Sequence, residues 1–141
     1  MANTYLWSLM GLSVIFFTVM IQSIAAAIAH AKAPGAVPGK LCDNLSHDSF
    51  VFRSHRTFHN SLENLLIFAG PALIAIFAGV SEFTLSAIIW VYAIARVVHM
   101  LLYYFIATEK NPSPRSYFYL IGLVANLALF AVLAYHFTVS F

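Results

Sequence analysis

Hydrophobic residues along this chain gather into four runs, at about 4–29, 57–80, 84–107 and 116–139, separated by short polar connections. A helix needs roughly 20 mostly apolar residues to cross about 30 Å of hydrocarbon, and each run meets that length. The pattern predicts an all-α integral membrane protein, a four-transmembrane-helix bundle that forms a single domain over 1–141. No internal repeat, low-complexity tract or soluble module interrupts it. The first run carries AAAIAHA at 25–31, with small residues spaced as at a signal-peptide cleavage site. A signal peptide has a positively charged start and an apolar core of about 7–15 residues. Here the run is longer and no charged side chain precedes Lys32, so it is read as a span.

Helix breakers mark the connections. Pro34, Gly35, Pro38 and Gly39 stop the first helix within HAKAPGAVPGKLCDNLSHDSF. In TEKNPSPRSYF, Ser113 is placed to cap the fourth helix, with Pro114 at its first position. Arg115 and Ser116 then fall in that helix's first turn.

Composition supports the membrane reading. With 62% hydrophobic and only 9% charged residues, and a mean hydropathy of +0.86, the chain has too few polar side chains to cover a globule in water. Lys32, Lys40, Arg53 and Arg56 lie in or beside the first connection, and Lys110 and Arg115 in the third, whereas the second carries only Glu82. The positive-inside rule makes the first and third connections cytoplasmic and turns both termini away from the cytoplasm. The net charge of +2 reflects this bias. With no basic stripe in a soluble domain to hold phosphates, nucleic-acid binding is excluded. Cys42 is the sole cysteine, which rules out an intrachain disulfide and a thiolate metal cage; it is read as a solvent-facing free thiol.

Candidate chemistry emerges from helical geometry. At roughly 100° per residue, Arg56, Asn60 and Glu63 share one face of the second helix, with Arg53 and His59 at its margins. Arg96, His99 and Tyr103 share a face of the third, and Arg115, Ser116 and Tyr119 open the fourth. The second and fourth helices start at the cytoplasmic side and the third ends there, so the three clusters lie at similar depth. Ionisable side chains inside a membrane normally face a bundle interior or a wet cavity.

A purely structural reading pairs Glu63 with Arg96 and uses Asn60 and the tyrosines as interhelical hydrogen-bonding groups. The charges do not balance that way, since Arg53, Arg56, Arg96 and Arg115 face one carboxylate, Glu63. A cationic cavity calls for an anion, and guanidinium forks favour carboxylates or phosphates. The ligand expected is small, acidic and able to enter from the cytoplasm. His55 and His59, spaced i, i+4 with Glu63 beyond, resemble a fragment of the histidine boxes of membrane desaturases. Those enzymes need several such boxes; here only His99 remains at matching depth, with His30, His47 and His136 elsewhere, and the arginines would repel a cation. No metal is predicted.

These residues carry a family resemblance. HRTFHNSLEN (55–64) is similar to the second-helix signature of the MAPEG family, membrane-associated proteins in eicosanoid and glutathione metabolism, and ARVVHMLLYY (95–104) with PRSYFY (114–119) resembles its third and fourth helices. The likeness covers the chain from about 52 onward and is closest to the microsomal glutathione transferase and microsomal prostaglandin E synthase branch. It implies a homotrimer with glutathione folded between neighbouring subunits and open to the cytoplasm. Arg56, with Arg53 or His59, would hold the carboxylates, while Glu63 and Asn60 meet the amine or amides. His99 and Tyr103 would line the peptide, Arg96 would brace Glu63, and Tyr119 would add a contact. Arg115 and Ser116 match the family's thiol-activating pair.

Some positions depart from that pattern. The first helix offers only His30 or Lys32 where animal relatives have an arginine, and the connection from Tyr103 to Arg115 is longer. Leu123 stands where the prostaglandin synthase has a polar contact, which disfavours prostaglandin isomerisation. The resemblance implies a membrane-bound glutathione S-transferase, with glutathione as co-substrate and a lipophilic electrophile or lipid hydroperoxide drawn from the bilayer. The alternative is a noncatalytic member that binds glutathione or a lipid and regulates a partner. A short chain without an evident retrieval signal leans toward a bacterial inner membrane over the endoplasmic reticulum.

Overall fold

A computed structural model of the chain describes residues 3–41 and 44–140; Cys42 lies outside the described residues. Four helices follow one another, α1 (Leu6–Ala31), α2 (Phe50–Ala78), α3 (Glu82–Phe105) and α4 (Pro114–Ser140), and each is long and apolar enough to cross a membrane. The protein is a multi-pass, four-helix membrane bundle.

The helix ends follow local chemistry. After α1, Ala33–Ala36 and Val37–Lys40 form two successive turns, closed by Ala36 N–H to Ala33 C=O at 3.2 Å and Lys40 N–H to Val37 C=O at 3.1 Å. Each has Pro second and a positive-φ Gly third, Gly35 at 67° and Gly39 at 78°, the arrangement a type II turn requires. α2 ends at Gly79 in the left-handed region, φ 83°, with Val80 N–H returning to Ala75 C=O at 3.0 Å. Only Gly79–Ser81 separate α2 from α3.

α2 starts at Phe50, seven residues before the apolar run at 57. Its 29 residues extend about 44 Å at 1.5 Å per residue, longer than the hydrocarbon layer, so its polar first two turns stand in the interface. Hydropathy locates where a helix enters lipid; the backbone hydrogen bonds continue beyond.

The bundle is centred on α2 and α3. α1 and α4 each pack against both, but not against each other. Phe68 of α2 stacks on Tyr92 of α3, with ring centroids 3.7 Å apart and planes within 7°, in a core that includes Leu12, Ile15, Ile89, Leu129 and Leu133. At the α2–α3 link, the Tyr5 hydroxyl donates to Val80 C=O (2.7 Å) and His136 Nε2 donates to Ala78 C=O (2.8 Å). Glu82 caps α1 from outside, accepting from Ser8 N–H at 3.2 Å and Ser8 Oγ at 2.6 Å. The start of α1 and the end of α4 therefore sit at the link, and the two longer connections meet at the opposite end. All seven lysines and arginines belong to that opposite half; the deepest, Arg96, lies nine residues before the end of α3, about 14 Å along the axis.

Candidate functional site

Arg96 is 4% exposed inside the bundle, and its Nη2 donates to Asn60 Oδ1 at 2.7 Å and to Ser61 Oγ at 2.8 Å. It does not reach Glu63. Its partners are neutral oxygens, so the charge is solvated by hydrogen bonds without a counter-ion. One turn further along α3, His99 is 3% exposed with Nδ1 buried and unpartnered. Its ring lies 5.7 Å from Tyr103 and 6.5 Å from Tyr119. The small residue opposite makes room: Gly122 faces Arg96 Cδ and Tyr92, and an added Cβ would lie 3.7 Å from the former.

Arg115 joins this group from α4. Its guanidinium carbon lies 4.2 Å from the Tyr103 ring centroid, a cation–π contact, and its Nη2 donates to Thr108 C=O at 3.3 Å. Its Nη1 is buried and has no acceptor. Ser116 is differently placed. Its Oγ accepts from Ser113 N–H at 3.2 Å and lies 3.0 Å from Ser113 Oγ, while Ser116 N–H returns to Ser113 C=O at 2.9 Å. With Ser113 before Pro114, Ser116 is the third helical residue, and its hydroxyl accepts from Ser113 N–H as in one half of a capping box, while Ser113 Oγ meets that hydroxyl instead of a helix N–H.

The remaining candidates lie apart. Arg56 and Glu63 are both exposed on the outer face of α2, and among the described residues neither forms an ion pair. His59 packs against His55 with the rings tilted by 32° and centroids 4.1 Å apart, and with His30 and Lys40 these two line a separate pocket of about 280 Å³ between the end of α1 and the start of α2. Arg53 is turned to the first connection, where Nη1 donates to His47 C=O (2.6 Å) and Asp48 C=O (2.8 Å) and Nη2 to Tyr104 C=O (3.3 Å). It caps carbonyls, with Nε buried and unpartnered. Within one chain, Asn60, Arg96, His99, Tyr103, Arg115 and Tyr119 thus converge, whereas Arg53, Arg56, His59 and Glu63 face elsewhere.

Three residues join the polar end without any signal in the helical pattern. Ser61 binds Arg96. His47 and Glu109, one from each connection, hydrogen-bond through Nδ1 and Oε2 at 2.9 Å, the only contact between a basic side chain and a carboxylate among the described residues. Glu109 is held below the ordinary carboxylate range, chiefly by the hydrogen bond from His47 N–H. No cluster of three metal-ligating side chains occurs among the described residues. On the lipid-facing side, Leu120, Ile121 and Val124 of α4 and Ala87, Ile88 and Val91 of α3 line an apolar groove of about 440 Å³, which begins one helical turn beyond Ser116.

The fold defines a polytopic helical membrane protein with Arg96 and Arg115 gathered at one end of the bundle. Comparison with known families is consistent with that class: the MAPEG family profile matches residues 5–135, and the chain belongs to the MAPEG family. No curated protein and no solved structure matches it. The family is generally trimeric and glutathione-binding, and it includes glutathione transferases and related enzymes as well as non-enzymatic members.

Proposed function

We propose that the protein is a membrane-bound glutathione S-transferase of the microsomal glutathione transferase and prostaglandin E synthase branch, working as a homotrimer. The observation that carries this reading is Arg115 Nη1, a buried guanidinium nitrogen with no acceptor at the start of a helix. A buried donor left without an acceptor costs about 1–3 kcal/mol, and an anion beside it removes that cost. A thiol with pKa near 8.5 is only a few per cent ionised at neutral pH. A guanidinium and a helix N-terminus together favour the thiolate, at about 1.4 kcal/mol per unit of pKa.

Arg115 is the group that activates the thiol, and Ser116 supports it by holding the helix start, its hydroxyl being engaged by Ser113. The thiolate sulfur attacks an electrophilic carbon, whose leaving group departs with the bonding pair. With a lipid hydroperoxide, two glutathiones yield the alcohol, water and the disulfide. The apolar groove beside Leu120 and Val124 suits a lipophilic acceptor arriving from the bilayer.

Glu63, exposed two turns deeper along α2 than the interfacial Arg56, supports the trimer. Charged side chains facing hydrocarbon are costly, so a neighbouring subunit covers this face and brings its own α3–α4 end toward it. Arg56, His59 and Glu63 of one subunit then hold the peptide whose thiol lies at Arg115 of the next. The site faces the cytoplasm of a bacterial inner membrane and the termini face away; a topology reporter fused after Phe141 reads that side directly. Conjugation of glutathione to 1-chloro-2,4-dinitrobenzene by the purified protein tests the enzyme, and glutathione binding without turnover would favour the noncatalytic reading.

A further inference from the structure

His47 stands outside every residue assigned above to the peptide or the thiol, yet it touches the site. The Glu109 carboxylate accepts from both its backbone N–H (3.0 Å) and its Nδ1 (2.9 Å). A carboxylate only accepts, so Nδ1 carries the proton, and in the neutral ring Nε2 is an acceptor. The atom that meets Nε2 is the Tyr103 hydroxyl, at 3.0 Å, which therefore donates. The ring is held from other directions too: Phe52 packs edge-on at 5.0 Å, and Arg53 grips the His47 carbonyl at 2.6 Å.

Exposure is graded along this chain of bonds. Tyr103 is 8% exposed, the His47 side chain 21% and that of Glu109 65%. Tyr103 also carries Arg115 against its ring, so the buried end of the chain lies at the guanidinium and the open end in water. The charged groups around His47 are Glu109 from the third connection, Arg53 from α2 and, across Tyr103, Arg115 from α4. His99 also packs on Tyr103 but has no carboxylate partner among the described residues.

We propose that Tyr103, His47 and Glu109 form a proton exit from the Arg115 site to water. The proposal rests on the thiolate reading above, in which ionising a bound thiol releases a proton beside the buried Arg115 Nη1. The thiol S–H bond breaks and its electron pair stays on sulfur beside Arg115. The proton passes to the phenol oxygen as the phenol's own proton moves to His47 Nε2. Glu109 stays ionised and stabilises the imidazolium until the part-exposed ring returns a proton to solvent. Tyr103 is the group in contact with the thiol; His47 and Glu109 act through it as relay and orienting residues.

The test is rapid mixing of the full-length protein with glutathione, following ultraviolet thiolate absorbance together with proton release to an indicator dye. His47→Ala should slow thiolate formation roughly 100-fold and Glu109→Gln about tenfold, the scale of general acid–base assistance, with glutathione affinity little changed. Glu109→Gln keeps an oxygen for the His47 N–H, and its amide NH2 can donate to Nδ1 of the other ring tautomer, so the connections stay tied and a slower rate is not a loss of fold. Added imidazole should restore the rate in His47→Ala in proportion to its concentration, a response that a purely structural tie would not give. Thiolate formation at the wild-type rate in both variants would overturn the conduit alone. A wild-type protein that binds glutathione with its thiol still protonated would overturn the thiolate reading and the conduit together.

Discussion

Arg115 and Tyr103 meet with the guanidinium carbon 4.2 Å from the ring centroid, so the first turn of α4 is fastened to the last turn of α3 by a charged residue whose Nη1 remains unpartnered. The stack fixes the direction of the fork without consuming its hydrogen-bonding capacity.

Arg115→Leu should therefore act on the thiol more than on docking. Removing a charge-assisted hydrogen bond costs about 1.5–3 kcal/mol, so turnover should fall roughly 10–100-fold and the bound thiol's pKa should rise, with a smaller loss of binding. Arg115→Lys should recover part of the charge effect but not the fork geometry. Spectroscopic titration of bound glutathione checks both; an unchanged thiol pKa and turnover in intact oligomers of Arg115→Leu would shift thiol activation to Ser116.

On the outer face of α2, Arg56→Ala and Glu63→Ala should each weaken glutathione binding by roughly tenfold, the value of one charge-assisted contact. Calorimetry on variants that keep the wild-type oligomeric state measures it. Unaltered affinity in both would remove this face from the peptide site.

Two glycines should respond in opposite ways to alanine. A Cβ on Gly11 would lie 2.6 Å from Ile89 Cγ2, and Ile89 is fully buried. α1 and α3 must move apart, which costs about 1–3 kcal/mol. Gly122→Ala meets nothing nearer than 3.7 Å and should be tolerated. Thermal unfolding in one detergent compares the two; equal midpoints would mean that α1 is not packed on α3 as described.

Acid should loosen the tie between the two connections. A carboxylate whose folded pKa is depressed contributes stability that is complete above its unfolded pKa and is lost as pH falls through the folded one. Glu109 is such a group, through His47 N–H first and then the His47 ring and Arg115. The His47 amide should be protected at neutral pH, begin to lose protection as pH drops past the ordinary glutamate value, and lose it fully below the depressed one. Hydrogen exchange corrected for its intrinsic pH dependence reads this directly, and constant protection across that range would contradict it.

The helices were legible because length and apolarity are local properties, and so was the start of α4 at Pro114, although the side chain that closes it belongs to Ser116, whose Oγ accepts from Ser113 N–H. Pairing between helices was less so. At roughly 100° per residue, Asn60 lies about 60° round the helix from Glu63, a difference that a shared polar face conceals, and this is why Arg96 meets Asn60 and Ser61. Nothing in the sequence pairs His47 with Glu109. They lie in separate connections, 62 residues apart, where no periodicity relates one position to another. The shared polar face of Arg56 and Glu63 implies a cavity; on the single chain they face outward, because periodicity gives the face but not what covers it.

The three-residue link between α2 and α3 also bears on how the protein is made. A tether that short leaves neither helix free to cross the bilayer without the other, so during synthesis they enter as a hairpin. Arg96 should then enter lipid beside the helix that carries Asn60 and Ser61, its hydrogen-bond partners in the folded bundle. Extending the Gly79–Ser81 link with a long flexible insert should lower the yield of correctly inserted α3, while Arg96→Leu in the same extended chain should restore it.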